Sequence, residues 1–279
     1  SEFVALDNPA NILQAGQASD RGLVLNRPKP GLKTLPVVNM TGTSEPYWNE
    51  IRPFVLRRWD ECPIAPSPSF GPDSSAAIFD EARAVYEASK RLTAEQRDIA
   101  FYWADNAGES GTPVGHWISI ASQMVSQRGM SAEEASLAMV ATAVAQADAF
   151  IASWGYKYKY NLLRPRTYIR AHIDPAWEPL IPTPPFPEYP SGHSTQSAAA
   201  GVVLMDLIGD LPFDDSTSVP LGHAVRRFAS FDQAAAEAGM SRIYAGIHYP
   251  VANVQGRLLG ECIGARTIER VTDRLPQAR

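Results

Sequence analysis

Apolar residues recur every three or four positions along much of this chain. The clearest run is Leu137, Val140, Val144, Ala147, Ile151 and Trp154, which predicts one long amphipathic helix. Ser131-x-x-Glu134 is a capping box at its start, and the alanine-rich pattern carries it toward Tyr156. A second capping box, Thr93-x-x-Gln96, opens a shorter helix from Ala94 to about Ala104. Further helices are predicted over 76–92, from Pro113 to about Gln127, from His193 to about Gly209, around 222–239, and from Pro250 to about Arg274. Period-two alternation never lasts more than a few residues, and no internal repeat is evident. The pattern therefore predicts an all-α helical bundle over residues 76–279. Residues 1–75, rich in Pro, Gly, Asn and Ser, read as an extended arm packed on that bundle, with short helices at most. The proline-studded segment 174–190 is a long ordered loop, a type that commonly carries function.

Composition narrows the picture. Of 279 residues 45% are hydrophobic and 20% charged, as in an ordinary globular protein with a real core. A net charge of −5 argues against a general nucleic-acid binder. No uninterrupted apolar run reaches ~18 residues, so no membrane span is expected, and no signal-peptide pattern opens the chain. A soluble protein is expected, either exported with its leader removed or cytoplasmic. Cys62 and Cys262 fit one disulfide or two buried thiols equally well. No Cys/His spacing suggests zinc, and no glycine-rich loop suggests a nucleotide.

Three clusters carry candidate chemistry. Lys157 and Arg164-Pro165 are seven residues apart, close to two helical turns, so both cations would share one face while the helix persists. Two cations at a helix C-terminus also simply complement its dipole. Ser191-Gly192-His193 lies where a rigid proline-rich approach meets the start of a helix. Unpaired backbone N–H groups there make an anion site, and a neighbouring imidazole can move protons. The third cluster is Ser241-Arg242 followed by His248-Tyr249-Pro250. Together they supply three cations, a hydroxyl, a glycine N–H and two histidines, which is what a tetrahedral oxyanion requires. His116 is placed near a helix start. His172 and His223 have no evident partners, and Asp214 and Asp215 look solvated in an acidic loop.

The order K-x6-R-P, P-S-G-H and S-R-x5-H resembles the type 2 phosphatidic acid phosphatase superfamily. Phe101–Asp105 and Gly111-Thr-Pro113 resemble its vanadium-dependent haloperoxidase branch. That resemblance implies vanadate as cofactor, with phosphate able to occupy the same site. It implies His248 as the vanadate ligand, or as the nucleophile on a phosphoester. Lys157, Arg164, Arg242, Ser191 and Gly192 would hold the equatorial oxygens, and His193 would be the acid–base group. Lys157 would also polarise hydrogen peroxide. Trp154 and Phe186 match residues lining the halide side, and Asp105 matches an aspartate paired with the middle arginine, here Arg164. The implied partners are hydrogen peroxide, chloride or bromide, and a small organic acceptor. Related bundles often dimerise, though nothing in this sequence specifies a homodimer. A soluble acid phosphatase working through a phosphohistidine is the alternative, and a catalytically silent oxyanion-binding member is a third. One departure bears on all three. Most of the superfamily has Asp four residues after the second histidine, whereas this chain has Ala252, followed by Asn253. Asn253 could contribute a hydrogen bond to His248 in its place, but an amide is a weaker partner than a carboxylate.

Overall fold

A computed structural model of the chain describes residues 46–71, 74–106 and 110–272. Among them are eight α-helices: α1 Ala77–Ser89, α2 Ala94–Tyr102, α3 Thr112–Gln127, α4 Ala132–Tyr160, α5 Pro165–His172, α6 Gly192–Ile208, α7 Phe231–Tyr244 and α8 Pro250–Thr272. Among the same described residues one sheet forms, pairing two short antiparallel strands, β1 Phe213–Asp215 and β2 Arg226–Phe228. The chain is thus an all-α bundle. Both capping boxes form as reciprocal hydrogen bonds, at Thr93/Gln96 and Ser131/Glu134.

The bundle is built around α6, which packs against α4, α7 and α8. Its small residues, Gly192 through Gly201, are buried on nearly all sides, as befits a central helix. On α8, Gly256, Gly260 and Gly264 face it. A Cβ on Gly260 would come within 2.1 Å of the Thr195 carbonyl oxygen, so only glycine lets the two backbones approach this closely. Among the described residues only α4 is long and apolar enough to cross a bilayer. Its apolar stretch is interrupted by the buried Gln146 and Asp148, and Lys157 is buried near its end.

Residues 46–71 form one short 3-10 turn, Trp48–Glu50, and otherwise irregular chain. They are fastened at two places. The Asp148 carboxylate accepts the backbone N–H groups of Phe54, Val55 and Leu56 at 2.7–2.8 Å. Cys62 is disulfide-bonded to Cys262 of α8. Residues 1–45 lie outside the described residues.

Three local expectations need correction. The helix expected around 222–239 begins only at Phe231, because Arg226–Phe228 is taken up by pairing with β1 and Ser230 caps the helix that follows. The acidic loop at Phe213-Asp214-Asp215 is strand β1, and its alternation sends Asp214 outward and Asp215 inward. Lys157 and Arg164 do not lie on one helix. Asn161, in the left-handed region at φ 52°, ends α4, and Pro165 favours the extended backbone found at Arg164 before α5 begins.

Candidate active site: a buried cationic pocket at the start of α6

Every cluster singled out in the sequence converges on the N-terminus of α6. Lys157 comes from the last turn of α4 and Arg164 from the N-cap of α5. Arg242 comes from the last turn of α7, and His248 from the link between α7 and α8. All three cations are at most 1% exposed. Lys157 donates to the carbonyl oxygens of Pro187 (3.1 Å), Glu188 (2.9 Å) and Pro190. It therefore shapes the loop leading into Ser191, and must release one of these contacts to hold an oxyanion. Arg164 donates from Nε to the Phe186 carbonyl and from Nη1 to the Ile247 carbonyl, both at 2.9 Å. Arg242 is aimed by Ser241 Oγ and by the carbonyls of Ala100 and Trp103. Burial depresses the proton affinity of each cation, strongly for Lys157 and to about 10 for both arginines.

Trp154 and Phe186 flank these cations. Their ring centroids are 4.9 Å apart. Lys157 Nζ lies 5.2 Å from the Phe186 centroid, and Arg164 Cζ lies 4.8 Å from it. Ser191 caps α6, its hydroxyl accepting the Ser194 N–H at 3.3 Å. A Cβ on Gly192 would meet the Trp154 ring at 3.4 Å, an ordinary contact distance, so Gly192 packs directly against that ring.

His248 is where sequence reasoning missed its partner. Its Nδ1 is 2.7 Å from Glu188 Oε1, and that oxygen also accepts the Tyr249 N–H at 2.8 Å. Its Nε2 is 3.1 Å from Arg164 Nη1. A guanidinium can only donate, so Nε2 accepts and Nδ1 carries the proton given to Glu188. Burial and then the charges of Arg164, Lys157, His193 and Arg242 push the imidazole's proton affinity well below its usual value, and the ring is neutral. Asn253 does not reach His248. It accepts from Ser194 Oγ at 2.5 Å, because its place on α8 faces the first turn of α6. The carboxylate missing at Ala252 is supplied from the opposite side, by the loop before Ser191. Glu188 carries no periodicity signal, and its proximity to Lys157 and Arg164 arises only in three dimensions.

On the other wall, His193 keeps 18% of its side chain exposed, and its Nε2 has no hydrogen-bond partner among the described residues. Desolvation and then the Arg242 charge hold it well below the usual imidazole range. Its Nε2 is 3.9 Å from Asp105 Oδ2. Asp105 is not paired with Arg164. Its Oδ1 is instead 2.9 Å from His116 Nδ1, while its charge acts on Arg242. His116 Nε2 in turn is 2.9 Å from Asp215 Oδ2, with both carboxylates buried. Asp215 is therefore not solvated, whereas Asp214 is only half-buried and is paired with Arg227 at 2.7 Å. His223 lies with its ring 5.6 Å from that of Tyr102, and the His172 ring packs 4.5 Å from Tyr168. A cavity of about 390 Å³, lined in part by Phe101, Asp105, Ser110 and His223, opens beside Asp105.

The pocket fits an oxyanion by its own chemistry. Arg164 Nη2 and His193 Nε2 are buried polar atoms without a protein partner among the described residues. They stand with a helix N-terminus and a neutral imidazole inside a ring of cations. The VCPO second helical-bundle domain matches residues 137–277, half of the chain. The chain belongs to the family of this VCPO helical-bundle domain. Among vanadium haloperoxidases, a bacterial vanadium-dependent iodoperoxidase is 41% identical with a TM-score of 0.79, over 82% of this chain and 58% of its own. The vanadium-dependent bromoperoxidase of Ascophyllum nodosum is 34% identical over 101 residues, which make up 32% of this chain and 18% of that protein. A holo-type bacterial vanadium-dependent chloroperoxidase shares the fold at TM-score 0.66 and 19% identity, over 82% of this chain and 55% of its own. This chain thus spans little more than half of the iodoperoxidase and less than a fifth of the bromoperoxidase. The matched span takes in Lys157, Arg164, Glu188, His193, Arg242 and His248. Asp105 and His116 precede it.

Proposed function

We propose that this chain is a vanadate-dependent peroxidase that uses hydrogen peroxide to oxidise a halide, which a small organic acceptor then takes up. The observation that carries the reading is the neutral His248 Nε2 facing a pocket with an unpartnered guanidinium nitrogen and an unpartnered imidazole nitrogen. Vanadate, when bound, would supply a Lewis-acidic centre that activates peroxide for oxygen transfer without changing oxidation state. His248 would hold it through Nε2, and Arg164, Arg242, Lys157, Ser191 and Gly192 would hold its oxygens.

The chain's own residues account for the rest. The cations balance the oxyanion's charge in a site that excludes water, where each contact counts for more than in solvent. His193, kept neutral by burial and Arg242, accepts a proton from hydrogen peroxide at Nε2. Asp105, 3.9 Å away, stabilises the imidazolium so formed, and the proton returns to the departing oxygen. Trp154 and Phe186 give a halide an apolar wall beside Lys157. The test is reconstitution with orthovanadate, followed by peroxide-dependent oxidation of iodide, bromide and chloride. Iodide, the most easily oxidised, should turn over first. Absence of vanadate-dependent turnover with all three halides would sink the reading.

One observation favours a second reading. A carboxylate on Nδ1 of His248 is also what a phosphohistidine nucleophile needs, and Glu188 supplies it although residue 252 is Ala. Hydrolysis of nitrophenyl phosphate that vanadate inhibits, without peroxidase turnover, would establish it.

A further inference from the structure

We propose that Glu188 is the positioning residue of His248 and that it sets the preference of this site for vanadate over phosphate. The proposal rests on reading the pocket as a vanadate site. Glu188 is fully buried, and one of its oxygens clamps both the His248 ring, at 2.7 Å, and the next backbone N–H, of Tyr249, at 2.8 Å. Its own position is fixed from the opposite side. Its N–H donates to the Leu162 carbonyl at 3.0 Å, and its carbonyl accepts from Lys157 at 2.9 Å. The link between α4 and α5 that delivers Arg164 therefore also sets the height of the carboxylate behind His248.

A carboxylate is a costly choice for this position: burial pushes Glu188 up to about 7, against the opposing pull of Arg164 and Lys157. It lies among the cations that are to hold an anion, and it repels any oxyanion that enters. Glutamine has the same shape, and its oxygen could accept the same two N–H groups without that repulsion. What an amide cannot do is draw the Nδ1 proton strongly enough to raise the basicity of the opposite ring nitrogen. That gain is felt only by a ligand that bonds to Nε2. Vanadium readily takes a fifth ligand. Phosphate at equilibrium is held through its oxygens and at most donates an O–H to Nε2, so it gains far less from a more basic ring nitrogen. The repulsion weakens both anions alike, while the basicity strengthens mainly one of them.

The experiment is titration calorimetry of orthovanadate and, separately, inorganic phosphate into the vanadate-free full chain, for wild type, Glu188→Gln and Glu188→Asp. In Glu188→Gln the ratio of vanadate to phosphate affinity should fall about 10- to 100-fold, with phosphate binding unchanged or tighter. Should Glu188→Gln fail to fold, Glu188→Asp keeps the charge but withdraws it from Nδ1, and must lower the same ratio. An unchanged ratio overturns the proposal. This holds if both anions weaken together, which marks a purely structural residue, or tighten together, which marks a purely repulsive charge. Wild type that binds vanadate no better than phosphate overturns the vanadate reading itself, before any variant is compared.

Discussion

His116 and His248 are almost equally buried, at 4% and 3% exposure, and each has a carboxylate on Nδ1, Asp105 for one and Glu188 for the other. Their protonation is nevertheless opposite. His116 is pushed up to about 9, against the cost of burial, by hydrogen bonds to Asp105 and Asp215. His248 is pushed well below its usual value by burial and then by Arg164 and Lys157. The second ring nitrogen decides. His116 Nε2 faces Asp215, so both nitrogens must donate and the ring is an imidazolium. His248 Nε2 faces a guanidinium, so it must accept. Burial alone favours neutral imidazole, and two carboxylates override it where one among cations does not. The charged histidine is thereby suited to hold Asp105 beside His193, and the neutral one is left with a lone pair to offer.

Deleting each ring should separate the two roles most sharply. His248→Ala should lower vanadate-dependent turnover by a factor on the order of 10³ or more, while the thermal midpoint falls by less than in His116→Ala, because Glu188 keeps the Tyr249 N–H. His116→Ala leaves two buried carboxylates without their shared cation. It should cost roughly 3–5 kcal/mol of stability, lowering the midpoint by roughly 10 °C. Calorimetry alongside the halide assay checks both. If His248→Ala proved the more destabilising, the contrast would be wrong.

The pH dependence of stability sharpens it further. His116 is raised from an ordinary value near 6.5 to about 9, so its contribution is fully present below about 6.5 and lost as pH rises toward 9. That loss is roughly 3 kcal/mol. His248 and His193 are depressed, so the folded state loses stability in the other direction, as pH falls below about 6.5. Urea midpoints between pH 5 and 9.5 should therefore peak near the middle of that range. His116→Gln should flatten the alkaline side and His248→Ala should relieve part of the acid side.

Much of the frame was legible because it rests on local rules. The capping boxes at Thr93 and Ser131, the helical run in α4 and the helix start at Ser191 all depend on residues within a few positions of each other. The cationic set was legible as ordered motifs, although Lys157 and Arg164 meet across the turn at Asn161 and not along one helix. What escaped were the carboxylates. Glu188 reaches His248 across 60 positions and Asp215 reaches His116 across 99, and neither separation is encoded in a period. Asp215 did leave one trace. Phe213, Asp214 and Asp215 pair with Phe228, Arg227 and Arg226, and a strand's period of two buries Asp215 whenever Phe213 is buried. Short strands between helices hide that signal.

The smallest expected effect concerns Asn253, the partner the sequence suggested for His248. Its oxygen accepts from Ser194 Oγ at 2.5 Å, and Ser194 N–H in turn donates to Ser191 Oγ. Asn253→Ala should thus loosen the first turn of α6 by about 1 kcal/mol, the worth of one ordinary hydrogen bond. It should leave vanadate affinity within about twofold, since Nδ1 of His248 is already taken by Glu188 and nothing on that ring depends on residue 253. Thermal midpoints and vanadate titration on the same sample separate the two quantities. A tenfold loss of affinity in Asn253→Ala, with the midpoint unmoved, would return the orienting role to α8 and leave Glu188 as a spectator.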